Sequence, residues 1–285
     1  SMYLFSHTEL KIKEVPIVLP KRTYGESKMR FVDIIRTLKL IFFLKVNKRP
    51  KNLKQKSIII DKTLSDPQEW DNYWNNQNTI SNKVYYNIAY IYRIFFIKSR
   101  LNYFIKKNFN RNLNLLHAGC GTGHVDSYIS EEYKLTSIDI SKEAIMQYNL
   151  RVPKAKSVKH MSIFETDFEN DSFDGIYNLG VMEHFAQQDI INILIEMKRV
   201  LKKNGKILLF WPHRYGTSVI FLKAIKLLYK IIGRSISFHP KEVSLMKNKK
   251  MISNICKNTG LKLCSYNFNF RDLFVQTVIC LKKDN

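Results

Sequence analysis

The stretch Leu113 to Gly123, LNLLHAGCGTG, decides the fold of this chain. It passes from an apolar run into three glycines at alternate positions, Gly119, Gly121 and Gly123, and then into a predicted helix that begins at His124. Glycine suits a backbone that bends sharply and lets a ligand approach, and the N-terminus of a helix offers free N–H groups. We therefore predict a strand, a glycine loop and a helix, with a ligand site at the loop.

A second apolar segment, LTSIDI, runs from Leu135 to Ile140 and contains Asp139, twenty positions after Gly119. A carboxylate at this place can accept hydrogen bonds from both hydroxyls of a ribose. The two segments together indicate a ligand that contains a nucleoside.

Residues 67–285 resemble the class I S-adenosylmethionine-dependent methyltransferases. AGCGTG, residues 118–123, stands where that family has its cofactor loop, and SFDGIYNLGVMEHF, residues 172–185, resembles its fourth-strand motif. A dinucleotide-binding dehydrogenase is the alternative, but it requires a third glycine three positions after the second, where this chain has His124. The resemblance implies S-adenosylmethionine as the cofactor and methyl transfer as the reaction.

Strands and helices alternate along the second part of the chain, which predicts an α/β fold with a mostly parallel sheet and helices on both faces. The resemblance adds that the sheet is Rossmann-like, has seven strands and ends in an antiparallel hairpin. We predict a methyltransferase domain over 63–285 with an insertion at 213–240, and a basic helical appendage over 1–62. The later elements are expected as strands near 158–162, 173–179, 206–211, 261–266 and 274–281, and as helices over 187–201, 219–232 and 247–258.

The chain has 285 residues, 45% of them hydrophobic, and a formal charge of +23. Such a charge attracts nucleic acid or an anionic membrane surface. Its richness in Lys, Asn, Ile, Phe and Tyr, which an A/T-rich coding sequence yields, accounts for the same charge without a partner. The sequence shows no RRM or KH signature, so nucleic acid is the least favoured partner. Four cysteines without metal-like clustering indicate neither zinc nor a disulfide framework, and they fit a reducing cytoplasm.

Residues 9–47 resemble the C-terminal end of the polyprenyl-phosphate glycosyltransferases of the dolichyl-phosphate mannose synthase type. The matching positions are Glu14 to Ile17, Arg22, Gly25, Ser27 and Lys28. We interpret residues 1–62 as the tail of such an enzyme with its upstream part missing, and we expect no glycosyl transfer from this chain. The tail holds 15 Lys and Arg against 5 Asp and Glu, a net charge of +10. Its amphipathic helix, Met29 to Val46, suits either an anionic membrane surface or packing on the missing domain.

The resemblance also assigns residues to the cofactor. They are Gly119, Cys120, Gly121, Thr122 and Gly123 at the amino-acid end, Asp139 at the ribose, Ile140, Ser162 and Ile163 at the adenine, and Asn178, Leu179 and Gly180 beside the methyl group. Two positions depart from the family pattern, since His117 and Ser162 both stand where an acidic residue is usual. These departures leave open a degenerate cofactor-binding module that only scaffolds the glycosyltransferase.

Methyl transfer from a sulfonium is an in-line displacement, so the enzyme chiefly positions the acceptor and excludes water. A hydroxyl acceptor benefits from a base, and His184, with Glu183 as its partner, is our candidate for the base or for a residue that orients the acceptor. A structural cap at the start of a helix is the alternative. Some quinone-pathway methyltransferases bind a metal through Glu-x-x-Glu-His here, but Gly180 occupies the first acidic position, so we predict no metal.

Aromatic and basic residues on both sides of the cofactor motifs are candidates for the acceptor pocket: Tyr73, Trp74, Trp211, His213, Arg214, Tyr215 and His239. Trp70, Tyr73 and Trp74 match a segment that in such methyltransferases folds over the cofactor as a lid, and packing in the core is the alternative interpretation. Because of the glycosyltransferase-like tail, we expect O-methylation of a sugar or of a lipid-linked glycan at the cytoplasmic membrane face. A small-molecule acceptor comes second.

Overall fold

The computed structural model describes residues 67–75, 97–220, 242–270 and 274–283, together with residues 223, 227 and 231. All of them belong to one compact unit of the chain, Gln55–Asn285. The glycosyltransferase-like tail, the amphipathic helix predicted within it and His239 lie outside the described residues, as do the predicted boundary near residue 62 and most of the predicted insertion.

Seven strands form one sheet in the order β3-β2-β1-β4-β5-β7-β6. The strands are β1 Asn114–Ala118, β2 Lys134–Asp139, β3 Ser157–His160, β4 Phe173–Leu179, β5 Leu201–Pro212, β6 Leu261–Asn267 and β7 Gln276–Lys283. The pairs among β1 to β5 are parallel, and β7 runs antiparallel to both β5 and β6. This arrangement confirms the predicted Rossmann-like sheet with its C-terminal antiparallel strands.

Six helices with described bounds and one 3₁₀ turn surround the sheet. They are α1 Pro67–Asn75, α2 Lys98–Asn108, α3 Ser127–Glu132, α4 Lys142–Arg151, the 3₁₀ turn Met182–His184, α5 Gln187–Val200 and α6 Lys249–Thr259. The described residues 217–220, 223, 227 and 231 are also helical. Side-chain caps fix the starts of α4 and α6, where Ser141 accepts from the N–H of Ala144 and Asn248 from that of Met251. Gly260, with φ of +65°, ends α6. Among the described residues no helix is both long and apolar enough to span a lipid bilayer.

The core lies in two apolar layers on opposite faces of the sheet. Successive residues of a strand point to opposite faces, so Leu115 packs in the layer of α2 and α3 and Leu116 in the layer of α5 and α6. In β5, Ile207 packs on the same side as Leu116, while Leu208 packs on that of Leu115. Helices therefore cover both faces, as predicted, and the edge formed by the strand ends is left for a ligand.

Two boundaries differ from the sequence expectation. The helix after the glycine loop begins at Ser127 rather than at His124, so the loop is followed by turns and not directly by a helix end. Strand β5 begins at Leu201 and runs through Asn204, which had been expected to lie between helix and strand. Strand β5 can begin this early because a register shift in its pairing with β4 places Leu201 opposite Phe173, whereas Lys206 lies opposite Gly175.

Candidate active site

The glycine loop leaves the end of β1 under steric constraints that explain its composition. Gly119 and Gly121 have φ angles of +77° and +52°, which side chains rarely adopt. A Cβ on Gly119 would lie 2.6 Å from a methyl carbon of Val181, and one on Gly121 would lie 2.9 Å from the ring of Trp74. Glycine is therefore required here by backbone conformation and by space.

A cavity of about 330 Å³ opens beside this loop at the carboxyl ends of the central strands, within the size range of small-molecule sites. Eleven of the twelve residues that the sequence assigned to the cofactor line it: Gly119, Cys120, Gly121, Thr122, Gly123, Asp139, Ile140, Ser162, Ile163, Leu179 and Gly180. Asn178 is not among the lining residues. Its amide is fully buried and donates to the carbonyl of Ala118 at 2.6 Å, which ties β4 to the start of the loop.

Asp139, at the end of β2, lies in the cavity wall with both carboxylate oxygens in use. Oδ2 accepts from the N–H of Gly121 at 2.7 Å, and Oδ1 accepts from the N–H of Ser141 at 2.9 Å. Burial raises the pKa of Asp139, and these two N–H groups oppose the rise. Each carboxylate oxygen has a second lone pair, so the residue remains suited to the two hydroxyls of a ribose.

A buried polar cluster that the sequence did not reveal lies beneath the loop. The carboxylate of Asp126 accepts from the hydroxyls of Tyr148 at 2.8 Å and Tyr177 at 2.9 Å, and it lies 2.6 Å from Nδ1 of His117. Ser137 extends the cluster by donating to the hydroxyl of Tyr148 at 2.7 Å. His117 is thus part of a network, and the polar Asp126 at the start of α3 was the sequence signal for it.

Helix α1 covers the glycine loop through its aromatic side chains. Trp70, Tyr73 and Trp74 all line the cavity, and no residue of α1 is buried. The rings therefore do not pack in the core but lie in the cavity wall, and their role as a lid stays a prediction. Asp71 anchors the helix, because its carboxylate accepts from the hydroxyl of Ser141 at 2.5 Å and from the N–H of Glu143 at 3.2 Å.

Glu183 and His184 also line the cavity, and both are buried in the 3₁₀ turn after β4. Because β1 lies between β2 and β4 in the sheet, they border the end of the cavity away from Asp139. Oε2 of Glu183 has no hydrogen-bond partner among the described residues. Burial raises the pKa of Glu183 to about 8, and the carboxylate of Glu242 adds to the rise. The sequence paired the two residues, but Oε1 of Glu183 lies 3.9 Å from Nε2 of His184, too far for a hydrogen bond. The ring of His184 packs edge-on against Trp70, with 5.0 Å between centroids.

Of the predicted acceptor-binding residues, the structure brings Tyr73 and Trp74 to the cavity. Trp211, His213, Arg214 and Tyr215 are not among its lining residues. Trp211 is fully buried in the core and donates its indole N–H to the carbonyl of Ser244 at 2.6 Å. His213 stacks on Phe268 with ring centroids 4.0 Å apart, and Arg214 lies over the ring of Tyr215. Burial lowers the pKa of His213.

Several lining residues carry no sequence motif: Pro212, Ser218, Glu242, Val275 and Gln276. Glu242 reaches the cavity because the N–H groups of Val243 and Ser244 donate to the carbonyl of Glu183, at 2.6 and 2.9 Å. Such contacts join segments far apart in the chain, so no local pattern could have revealed them.

Residues 116–209 match the family model described as a methyltransferase domain. No curated protein sequence matches the chain. Among solved structures, the chain resembles an S-adenosylmethionine-dependent methyltransferase from Leishmania major, with 14% identity and a TM-score of 0.54 over 76% of this chain and 85% of that one. It also resembles a TehB-like methyltransferase from Corynebacterium glutamicum, with 18% identity and a TM-score of 0.50 over 77% and 100%. A third is magnesium protoporphyrin IX methyltransferase from Synechocystis with bound S-adenosylhomocysteine, with 12% identity and a TM-score of 0.50 over 76% and 93%.

At these identities the solved structures show a shared fold, and the cavity itself shows whether S-adenosylmethionine fits. The loop gives a ligand close access to its backbone, and Asp139 suits a ribose. Three lining residues, Trp74, His117 and Glu183, each have a buried polar atom with no hydrogen-bond partner among the described residues, and a bound ligand could supply those partners. The cavity fits the cofactor that the matched domain implies, and the chain contains an S-adenosylmethionine-dependent methyltransferase domain.

Proposed function

We propose that the chain methylates a hydroxyl of a sugar or of a lipid-linked glycan intermediate. The observation that carries the choice of a hydroxyl is the buried, unpartnered Oε2 of Glu183 in the cavity wall. A carboxyl whose pKa is about 8 is well matched to taking up a proton near neutral pH. A hydroxyl must lose its proton when it is methylated, and a base at this place can accept that proton.

Bound S-adenosylmethionine supplies an electrophilic methyl group, and the residues of the chain take up the proton, orient the acceptor and exclude water. In its carboxylate form Glu183 accepts the hydroxyl proton at Oε2 as the acceptor oxygen takes the methyl group. His184, beside it and packed against Trp70, orients the acceptor. The lid rings exclude water and offer flat faces on which a sugar can stack.

The sugar or glycan acceptor rests on the sequence. The tail at residues 9–47 resembles the end of a polyprenyl-phosphate glycosyltransferase, and a methyltransferase fused to such an enzyme would meet its glycan product. The charge of residues 1–62 and the amphipathic helix that the sequence predicts over residues 29–46 support the proposal that the protein acts at the cytoplasmic membrane face as a peripheral protein. A small-molecule acceptor, a degenerate scaffold module and RNA are the alternatives, in that order.

The full chain should be incubated with methyl-labelled cofactor and three separate extracts, of lipid-linked saccharides, small metabolites and total RNA. We expect label in the saccharide fraction, at a position that base treatment does not release as an ester would. Label in the metabolite or RNA fraction alone would contradict the glycan proposal. Cofactor binding without transfer to any of the three would favour the scaffold.

A further inference from the structure

Exposed apolar side chains gather in two segments of the described chain, one after β5 and one between β6 and β7. Ten large apolar side chains are exposed among the described residues, and five of them belong to these segments. We call these five the apolar patch: Tyr215, Ile220, Leu227, Phe270 and Phe274, with exposed fractions from 41% to 72%. Single exposed apolar residues are ordinary on a protein surface, but a group of them marks a place where another molecule binds.

Direct contacts join the two segments into one surface. The N–H of Thr217 donates to the carbonyl of Phe274 at 3.2 Å. The ring of His213, which is buried, stacks on Phe268 with 4.0 Å between centroids, and Phe268 packs against Phe274 at 5.2 Å. Tyr215 lies on the other side of this row, 5.8 Å from the ring of His213. The exposed rings therefore stand on a connected row of aromatic side chains.

The helical residues after Thr217 extend the apolar patch. Ile220, Lys223 and Leu227 are helical and exposed. Their spacing of three and four residues places them on one side of a helix. A cation thus lies between two exposed aliphatic side chains, which is the pattern of a helix that rests in a membrane interface.

Phe274 keeps its exposed ring in a strained backbone conformation. Its φ is +57°, in the left-handed region that a bulky residue rarely adopts. Burial of the ring does not offset the strain, because 41% of the residue is exposed. Strain that persists at an exposed aromatic residue points to a functional requirement for the position of its ring.

The charge around the apolar patch favours an anionic partner. Arg214 is exposed, and its guanidinium lies 4.8 Å from the ring centroid of Tyr215. With Lys223 it supplies two cations, whereas the described residues 212–220 and 265–270 include no Asp or Glu. The whole chain has a formal charge of +23. A surface that carries phosphate groups is therefore attracted to this side of the domain.

The apolar patch also adjoins the cavity. Pro212 and Ser218 line the cavity from the first segment, and Val275 and Gln276 line it directly after Phe274. A molecule that covers the apolar patch therefore lies beside the site of methyl transfer.

An anionic bilayer fits these features better than other partners do. Aromatic and aliphatic side chains both enter the membrane interface, and arginine and lysine meet the lipid phosphates. Nucleic acid would use the rings and the cations but would leave Ile220 and Leu227 without apolar contacts. A second copy of the chain would bring the same cations together.

We propose that the apolar patch inserts into the headgroup region of an anionic bilayer and so holds the edge of the cavity at the membrane surface. The proposal deepens the membrane location given above, since it places a contact on the methyltransferase domain itself. It is separate from the identity of the acceptor. Label in the saccharide extract tests the acceptor, and vesicles test the apolar patch, so the two proposals fail on different results.

The predicted helix over residues 29–46 can bind the same vesicles, so a reporter within the apolar patch is needed. Vesicles of phosphatidylglycerol and phosphatidylcholine with brominated acyl chains quench a tryptophan that enters the bilayer. In the full chain, Phe270→Trp and Tyr215→Trp should each lose most of the emission that the new tryptophan adds. Leu150→Trp, at a position 84% exposed on α4, is the matched control and should keep its emission.

Replacing both rings tests their contribution to binding. Tyr215→Ser combined with Phe270→Ser should weaken binding of the full chain to the same vesicles about ten-fold, the scale of burying one large apolar side chain. Leu150→Ser should bind as wild type does, and circular dichroism checks that each variant is folded. An unquenched tryptophan at position 215 or 270, equal quenching at position 150, or unchanged binding of the double variant would each overturn the proposal. A response of the two patch tryptophans to RNA and not to vesicles would also overturn it.

Discussion

The two ends of the cavity each hold a buried carboxyl group, and the protein treats them differently. Asp139, at the cofactor end, has both oxygens bonded to backbone N–H groups of the loops that it joins. Glu183, at the other end, has an oxygen with no partner among the described residues and a pKa raised to about 8. The cofactor end is organised before a ligand arrives, whereas the other end keeps an unsatisfied group, as sites of proton transfer often do.

Of the variants considered, Glu183→Gln should have the largest effect, because it removes the carboxyl group that distinguishes this end of the cavity from the Asp139 end. The amide keeps the shape but cannot take up a proton, so we expect methyl transfer to the labelled extract fraction to fall by about 10²–10⁴-fold. Cofactor binding, measured by calorimetry, should stay nearly unchanged because Asp139 and the loop are intact. Glu165→Gln, an exposed carboxylate on the loop after β3, is the matched control. Methyl transfer at the wild-type rate in Glu183→Gln would contradict the role of Glu183 as the base.

Asp139→Ala addresses the cofactor end. Loss of the carboxylate should weaken cofactor binding by about 1.5–3 kcal/mol, the scale of hydrogen bonds to a charged group. Part of the loss comes from the N–H groups of Gly121 and Ser141, which lose their acceptor. Calorimetry gives the affinity, and circular dichroism checks that the sheet remains folded. Unchanged affinity would mean that this carboxylate does not meet the ribose.

The free energy of unfolding should depend on pH through the raised pKa of Glu183. Its folded-state pKa of about 8 lies above the ordinary value of 4.5, so the folded state holds this proton more tightly than the unfolded state does. The favourable contribution of this proton to the free energy of unfolding is therefore complete below pH 4.5, and it is lost as the pH rises towards 8. We expect Glu183→Gln to be more stable than wild type above pH 8, by on the order of 2 kcal/mol, in chemical denaturation. Parallel stability curves for the two proteins from pH 5 to 9 would contradict this.

The smallest effect concerns the lid. Asp71→Ala removes the acceptor that joins α1 to the start of α4, and it should weaken cofactor binding by about 1 kcal/mol through a less ordered lid. Asn72→Ala, at an exposed position on the same helix, serves as the control. Equal affinities of the two variants would show that α1 does not help to hold the cofactor.

The contrast between the two ends also separates what the sequence could predict from what it could not. The glycine loop, Asp139 and the strands are encoded by local patterns, apolar runs punctuated by glycine, and apart from the early start of β5 the structure has them where these patterns place them. Trp211 was expected in the acceptor pocket because it is aromatic and follows the fifth strand. Instead β5 extends to Pro212, and its alternation turns Trp211 into the same core layer as Ile207.

Long-range contacts account for the remaining differences. The pairing of His117 with Asp126 depends on how the turns after the loop fold back, and the glycine motif alone does not specify it. Glu242 approaches Glu183 only because its segment hydrogen-bonds to the 3₁₀ turn. The distance between Glu183 and His184 could not be read from their adjacency, because neighbouring side chains in a 3₁₀ turn point in different directions.

The most direct test of the contrast is a ¹³C NMR titration of the glutamate side-chain carboxyl groups, from pH 4 to pH 10, in wild-type chain and in Glu183→Gln. The account predicts one glutamate resonance that titrates with a pKa near 8 in wild-type chain and is missing from the variant. A wild-type spectrum in which every glutamate carboxyl is ionised by about pH 6 would contradict it.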